Sequence, residues 1–284
     1  MVLCIVFCFV LLSSCGAPSS AGASQAATPT PRPESASDLL SASNKVMSAM
    51  NSKHQSLVMV VGTDFMASYL PSTSDPAVAS QLSAKYTSES DSNGATESSQ
   101  LLTIQITAGT KDISYAMKQI LLGDQAYLQG NSGVWYVLDA SALNDSSNNP
   151  FAIGTNSLTD PGSMGLDALT GTLTDHKIEV LNGKKLRHIT STLNKDQVIN
   201  EMGSSDTPFV HSVTGANVDI WIDEATKYLY KIDYKVLTDA SAPVVAGQPQ
   251  GFEVIANFSN FNKLVNFTVP TNPQPATNVK QVLQ

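Results

Sequence analysis

Asn182-Gly183 constrains this chain more than any other pair of residues. The pair stands between two strand-like runs, 176–181 and 184–193. Asn-Gly suits the two-residue type I′ turn, in which both central residues take positive φ, so it predicts a tight antiparallel hairpin. Comparable turn signals recur along the chain: Asp91-Ser92-Asn93-Gly94, Gly123-Asp124, Asn131-Ser132-Gly133, the run 223–227, and Asn260-Phe261-Asn262-Lys263. The segments between them are short, apolar and partly alternating, with Leu102, Ile104 and Ile106 on one face of the 101–108 run. Repeated strand–turn–strand units of this length predict an antiparallel meander of about ten strands.

The amino-terminal stretch sets the environment. Val2 to Leu12 carries no charge, has the length of a signal-peptide apolar region, and is far short of the roughly 20 residues that span a bilayer. Leu12-Ser13-Ser14-Cys15 follows and reads as a lipobox, so residues 1–14 are expected to be a lipoprotein signal peptide and Cys15 the lipidated first residue. The three cysteines are Cys4, Cys8 and Cys15. The processed chain would then hold no disulfide and no free thiol, and its stability would come from core burial. The expected location is extracytoplasmic, anchored to the cell membrane through an acyl group such as palmitate on Cys15.

Residues 15–37 are rich in Ala, Ser, Thr and Pro and read as a tether without a core of their own. Ser37 or Asp38 reads as a helix cap, and Leu39, Val46 and Met50 with Met47 predict an amphipathic helix over 38–52. The meander is interrupted over 143–173, where helical candidates at 150–153 and 163–172 predict a central cover for one sheet face. A short helix is expected over 194–202, strands over 56–65 and 264–269, a loop over 66–80, and a loose tail over 271–284. The folded domain is thus placed at 38–270. The fold class is α+β: a strongly twisted antiparallel sheet wrapped over an N-terminal helix and a central helical insert.

This order of pieces resembles the LppX/LprG-type lipoproteins of the LolA-like superfamily, a half-barrel sheet wrapped around helices. The residues that carry the resemblance are Gly123-Asp124-Gln125-Ala126-Tyr127-Leu128 leading to Trp135, Asn182-Gly183 followed by 189–193, the run 218–223, and Phe258-Ser259-Asn260-Phe261 through Val265 to Pro270. The resemblance implies a lipid or glycolipid held in an apolar cavity between sheet and helices, a role in lipid carriage within the cell envelope, and an envelope transport partner. It brings no short ligand motif. The inward-facing candidates for lining such a cavity are Val60, Ile104, Ile106, Val137, Leu166, Leu169, Ile220, Ile222, Tyr230 and Val254. Lys185 and Arg187 depart from the pattern, standing at positions that would face acyl chains.

Other chemistry finds little support. The formal net charge is −8, which opposes nucleic-acid binding. No Gly-x-Ser-x-Gly, His-Glu-x-x-His, Ser-x-x-Lys or phosphate-cradling glycine loop occurs, so no catalytic residue, cofactor or metal site is nominated. With a two-residue turn at 182–183, His176 opposes Ile189 and His188 opposes Lys177, placing the two imidazoles on opposite faces. Asp219, Asp223 and Glu224 read as solvated carboxylates around a hairpin tip. The reading is a lipid-binding envelope lipoprotein. The alternative is a non-catalytic sensor, adhesion or assembly module with a filled core.

Overall fold

Ser35 starts the first helix: its hydroxyl oxygen accepts from the Asp38 amide at 3.1 Å, capping α1 (Ala36–Ser48). Leu39, Leu40, Ser43 and Met47 form the buried stripe of α1. The helix begins two residues before the expected start and stops at Ser48, because the chain turns into β1 at Ser52. The computed structural model describes residues 34–68, 82–94, 96–144, 171–202, 208–239 and 251–283. Residues 34–284 form one compact unit. The central insert, apart from its ends, lies outside the described residues, as does most of the 66–80 loop.

Twelve strands occur among the described residues, and they form a single open sheet. In chain order they are β1 (Ser52–Val61), β2 (Leu82–Asn93), β3 (Glu97–Ala108), β4 (Lys111–Leu122), β5 (Gln125–Gln129), β6 (Trp135–Asp139), β7 (Thr172–Leu181), β8 (Lys184–Asn194), β9 (Val213–Ile222), β10 (Leu229–Thr238), β11 (Phe252–Ser259) and β12 (Gln274–Pro275). Their spatial order is β12-β6-β5-β4-β3-β2-β1-β11-β10-β9-β8-β7. Every pairing is antiparallel except that of β12 with β6. The strands make two meanders, β1–β6 and β7–β11, joined where β1 pairs with β11. The Asn182-Gly183 hairpin forms as expected, with φ of 51° and 79° at its two central residues.

The described residues also hold α2 (Thr63–Ser68), a 3-10 turn (Ala140–Asn144), α3 (Lys195–Met202), α4 (Pro208–Ser212) and α5 (Val279–Val282). The strand expected over 56–65 ends at Val61, and Asp64 on α2 accepts the Gly251 amide at 2.8 Å. A reciprocal cap opens α3: Asn194 Oδ1 accepts from the Gln197 amide and Gln197 Oε1 from the Asn194 amide. This helix packs against β8 and β9, and α1 against β7.

Two expectations at the carboxyl end are corrected. Residues 264–269 form no strand but a crossing over the strand ends; Asn93 substitutes for a ladder partner, its Nδ2 donating to the Val265 carbonyl and its Oδ1 accepting the Val265 amide. The tail is not loose. Val279 and Val282 are buried in the core, and Gly130 lets the α5 backbone approach so closely that a Cβ there would lie 2.5 Å from the Val282 carbonyl oxygen. Apolar burial outweighs the Pro/Asn-rich composition that suggested a free end.

Candidate functional site

Register sorts the inner face of the sheet into rows. Ile189, Ile220, Ile232, Ala256, Leu57, Ser88, Leu102 and Met117 are successive cross-strand partners from β8 to β4. All eight are buried. This row is the backbone of the core, and α1 adds Leu39, Leu40 and Met47 to it.

The next row runs Ser191, Val218, Tyr234, Val254, Met59, Tyr86, Ile104 and Tyr115. Beyond it, Phe252, Val61, Ala84, Ile106 and Ile113 continue the same face. Both rows are buried over β8–β11 and open progressively toward β3 and β4. Ile104 and Ile106 are half-buried, while Tyr115 is 39% and Ile113 50% exposed. These last two share a face with the core yet meet solvent. Tyr86, between them and the core, has its hydroxyl pushed up to about 12 by burial alone, the mark of a poorly solvated surround.

Toward the other end of the strands the inner face turns polar. Gln55, Ser90, Gln100 and Gln119 are successive partners there, and Gln100 donates to the Ser88 hydroxyl at 2.8 Å. The inner face therefore runs from amide-lined at one end to aliphatic and open at the other. That arrangement can shelter an apolar chain against Ile104, Ile106, Ile113 and Tyr115 by excluding water, without any charged contact.

The nominated lining residues divide accordingly. Ile104 and Ile106 flank the open patch. Ile220, Ile222 and Val254 lie on the inner face but are consumed by core packing. Val60 pairs with Lys85 and Glu253, and Val137 with Tyr127, so both face outward; the period-2 alternation there runs one residue out of step with the expectation. Tyr230 stands at the irregular register between Leu229 and Lys231, edge-on to Phe261 and with Lys184 Nζ 5.0 Å above its ring. Leu166, Leu169 and Cys15 lie outside the described residues. Ile113 and Tyr115 were missed because 111–118 was not read as a strand. The Ile113, Tyr115, Met117 alternation after Gly109 carried the signal.

The departure at Arg187 is resolved by pairing. Its guanidinium is buried and donates to both carboxylate oxygens of Asp175 at 3.2 and 2.8 Å and to Glu224 at 2.8 Å. The Arg187 hydrogen bonds hold the Asp175 carboxyl far below the usual carboxylate range.

The outer face carries a second cluster. A register shift between Asp175 and Lys177, with Lys177 at φ 68°, turns His176 onto the face of His188, contrary to the expectation of opposite faces. His176 stacks on His188 at 4.5 Å, His188 on Trp221 at 4.4 Å, and Lys231 Nζ lies 4.5 Å over the Trp221 ring. His188 binds Glu179 through Nδ1 at 3.0 Å and Asp219 through Nε2 at 2.9 Å. Ring faces and ring nitrogens of His188 are thus already engaged within the sheet. Among the described residues no three His, Cys, Asp or Glu side chains are placed to hold a metal ion, and no helix is long and apolar enough to cross a membrane.

The sequence matches no family model and no curated protein. Solved structures are similar to it. LprF from Mycobacterium bovis has a TM-score of 0.47 at 11% identity, covering 82% of this chain and 96% of its own. Lipoprotein LppX of Mycobacterium tuberculosis has a TM-score of 0.42 at 14% identity, covering 82% of this chain and 99% of its own. The open twelve-stranded sheet with α1 packed into its core is the α+β architecture expected from the sequence.

Proposed function

We propose that this protein is a non-catalytic, membrane-anchored envelope lipoprotein that binds a lipid or other amphiphile through the inner face of its sheet, for carriage or transfer within the envelope. One observation carries the reading. The apolar face that forms the core continues without a break into solvent at Ile104, Ile106, Ile113 and Tyr115. An acyl chain laid on these residues would complete their burial, each sheltered CH₂ contributing about 0.8 kcal/mol. The lipobox at Cys15 supplies the anchor in this reading, and the amide-lined end of the same face suits the polar part of an amphiphile. The packed rows over β8–β11 favour a second reading, a sensor or assembly module whose core is already filled.

The test is chemical. The protein purified from its own envelope is extracted with chloroform and methanol, and the extract is analysed by mass spectrometry. An amphiphile at near-stoichiometric amount is expected. A protein that carries none, and takes up none when offered phospholipid or fatty acid, refutes the lipid-binding reading and leaves the filled-core module.

A further inference from the structure

The strand ends fall into two groups. One holds the turns at 93–96, 123–124, 182–183 and 223–228 and the crossing at 260–273. The other holds the β3–β4 turn at 109–110, the β5–β6 connection and the crossing through α3 and α4. Glu34 belongs to the first group, since its carboxylate is bound by Lys227 in the 223–228 turn. The described chain therefore begins at that end. Ile106 and Ile113 pair beside the 109–110 turn, so the open apolar patch lies at the opposite end.

The tethered end holds aliphatic side chains in water. Val180 beside the 182–183 turn is 68% exposed; Leu264 and Val269 in the crossing are 75% and 50% exposed. Lys184, Lys185 and Lys263 lie next to them in the chain and are exposed. None of the three makes an ion pair with a described residue. Lys227 and Arg187 at this end are committed, Lys227 to Glu34 and Arg187 to Asp175 and Glu224. Asp223 accepts the amides of its own turn, and Glu97 accepts from Asn93. Asp124 and Asp139 also stand at this end, as do Asp91, bound to His54, and Glu179, bound to His188. In a chain of net charge −8, this end offers ammonium groups outside any ion pair, Lys184 lying over the Tyr230 ring, beside exposed aliphatics. That is the composition of a surface that settles into the headgroup layer of an anionic bilayer, apolar side chains inward and lysines at the phosphates.

The geometry points to the tethered end as a membrane-contact surface for bilayers with anionic headgroups. The domain then stands on the bilayer with its apolar patch turned away, open to an acceptor in the envelope space. The inference rests on the proposed function for what the patch does, and on the named side chains alone for the contact.

The experiment uses the full chain in a Cys4→Ser/Cys8→Ser background, so that one added cysteine takes an environment-sensitive fluorophore. Val180→Cys, Leu264→Cys and Ile113→Cys are compared on vesicles of mixed phosphatidylglycerol and phosphatidylcholine carrying a lipid-chain quencher. Quenching is expected at 180 and 264 and not at 113. Lys184→Glu/Lys185→Glu/Lys263→Glu, or vesicles of phosphatidylcholine alone, is expected to reduce quenching at 180 and 264 to the level at 113. Equal or greater quenching at 113, or none at 180 and 264, overturns the inference. The intact mass of the same preparation reports whether Cys15 is acylated; if it is not, Cys15→Ser is added before labelling, the chain is added to preformed vesicles, and the three positions still decide. Uptake of a dansyl-labelled phospholipid by the unlabelled Cys4→Ser/Cys8→Ser chain, with Ile113 intact, measured in detergent-free solution before vesicles are added, separates failure of the proposed function from failure of the contact.

Discussion

The open patch makes a quantitative prediction. Fully burying an Ile or a comparable side chain is worth about 1.5–3 kcal/mol. Ile113 is 50% exposed and Tyr115 39%, so a bound acyl chain can still recover about 0.8–1.5 kcal/mol at the first and about 0.6–1.2 kcal/mol at the second. Replacing both by Thr keeps strand-compatible residues and removes most of that gain, so affinity should weaken about 10- to 100-fold. Leu101 provides the control. It is 46% exposed on β3 and pairs with Lys118, on the outer face of the same strand pair. Leu101→Thr should leave affinity unchanged. Stability should move by no more than about 0.5–1 kcal/mol in either variant, because each altered side chain is partly solvated already. Titration with a dansyl-labelled phospholipid, alongside urea denaturation of each variant, reads both quantities. Equal losses for Leu101→Thr and for Ile113→Thr/Tyr115→Thr would refute the assignment of the inner face, and so would unchanged binding in the double variant.

The other predictions concern stability. Asp175 is held below the usual carboxylate range by Arg187, and Glu179 is held below it first by its hydrogen bond with His188. A depressed folded-state value means the stabilisation is present above the unfolded carboxylate range, near pH 4, and is lost as pH falls through the folded values. The wild-type melting temperature should therefore drop steeply below about pH 4, and Asp175→Asn should drop less, its loss being already present at neutral pH. Val279→Ser/Val282→Ser should cost about 3–5 kcal/mol in urea denaturation, because two fully buried valines are lost from the core; a cost near zero would mean the tail does not dock. Ser43 Oγ is buried in α1 and has no hydrogen-bond partner among the described residues. Ser43→Ala should raise stability by about 1–2 kcal/mol through helix propensity and relief of the unpaired hydroxyl.

Local chemistry was the legible part of the fold. Asn182-Gly183 marked a tight turn, and that turn fixed how 177–181 meets 184–188. The helix expected over 194–202 likewise forms as α3, with Asn194 and Gln197 capping it. The failures came where a partner distant in sequence decided the outcome. The tail composition around Pro270, Pro273 and Pro275 is that of a free end, yet Val279 and Val282 bury because Gly130, far earlier in the chain, leaves room for them. The alternation of 264–269 is strand-like, but the side chain of Asn93 occupies the place of a neighbouring strand. At Asp175–Lys177 a single extra residue reversed the facing of His176 and converted two unrelated imidazoles into a stack on Trp221.

The candidate site was half legible for a related reason. Alternation names the two faces of a strand, but not which face lies inside or how far along it the core extends. Ile104, Ile220 and Val254 all occupy the inner face, yet Ile220 and Val254 are sealed by neighbours on β8–β11, whereas Ile104 stands beside the solvent-exposed Tyr115. What distinguishes them is the cover above the sheet, which no run of residues within a strand encodes. Exposure on the core face is thus the property that separates a filled half-barrel from one that can still accept a chain. On β3 and β4 the property lies at the end opposite Glu34, and Ile178 and Val180 show it again on β7 at the other end. On the proposed function, a carrier so arranged would stay tethered while presenting the patch on β3 and β4 away from its membrane.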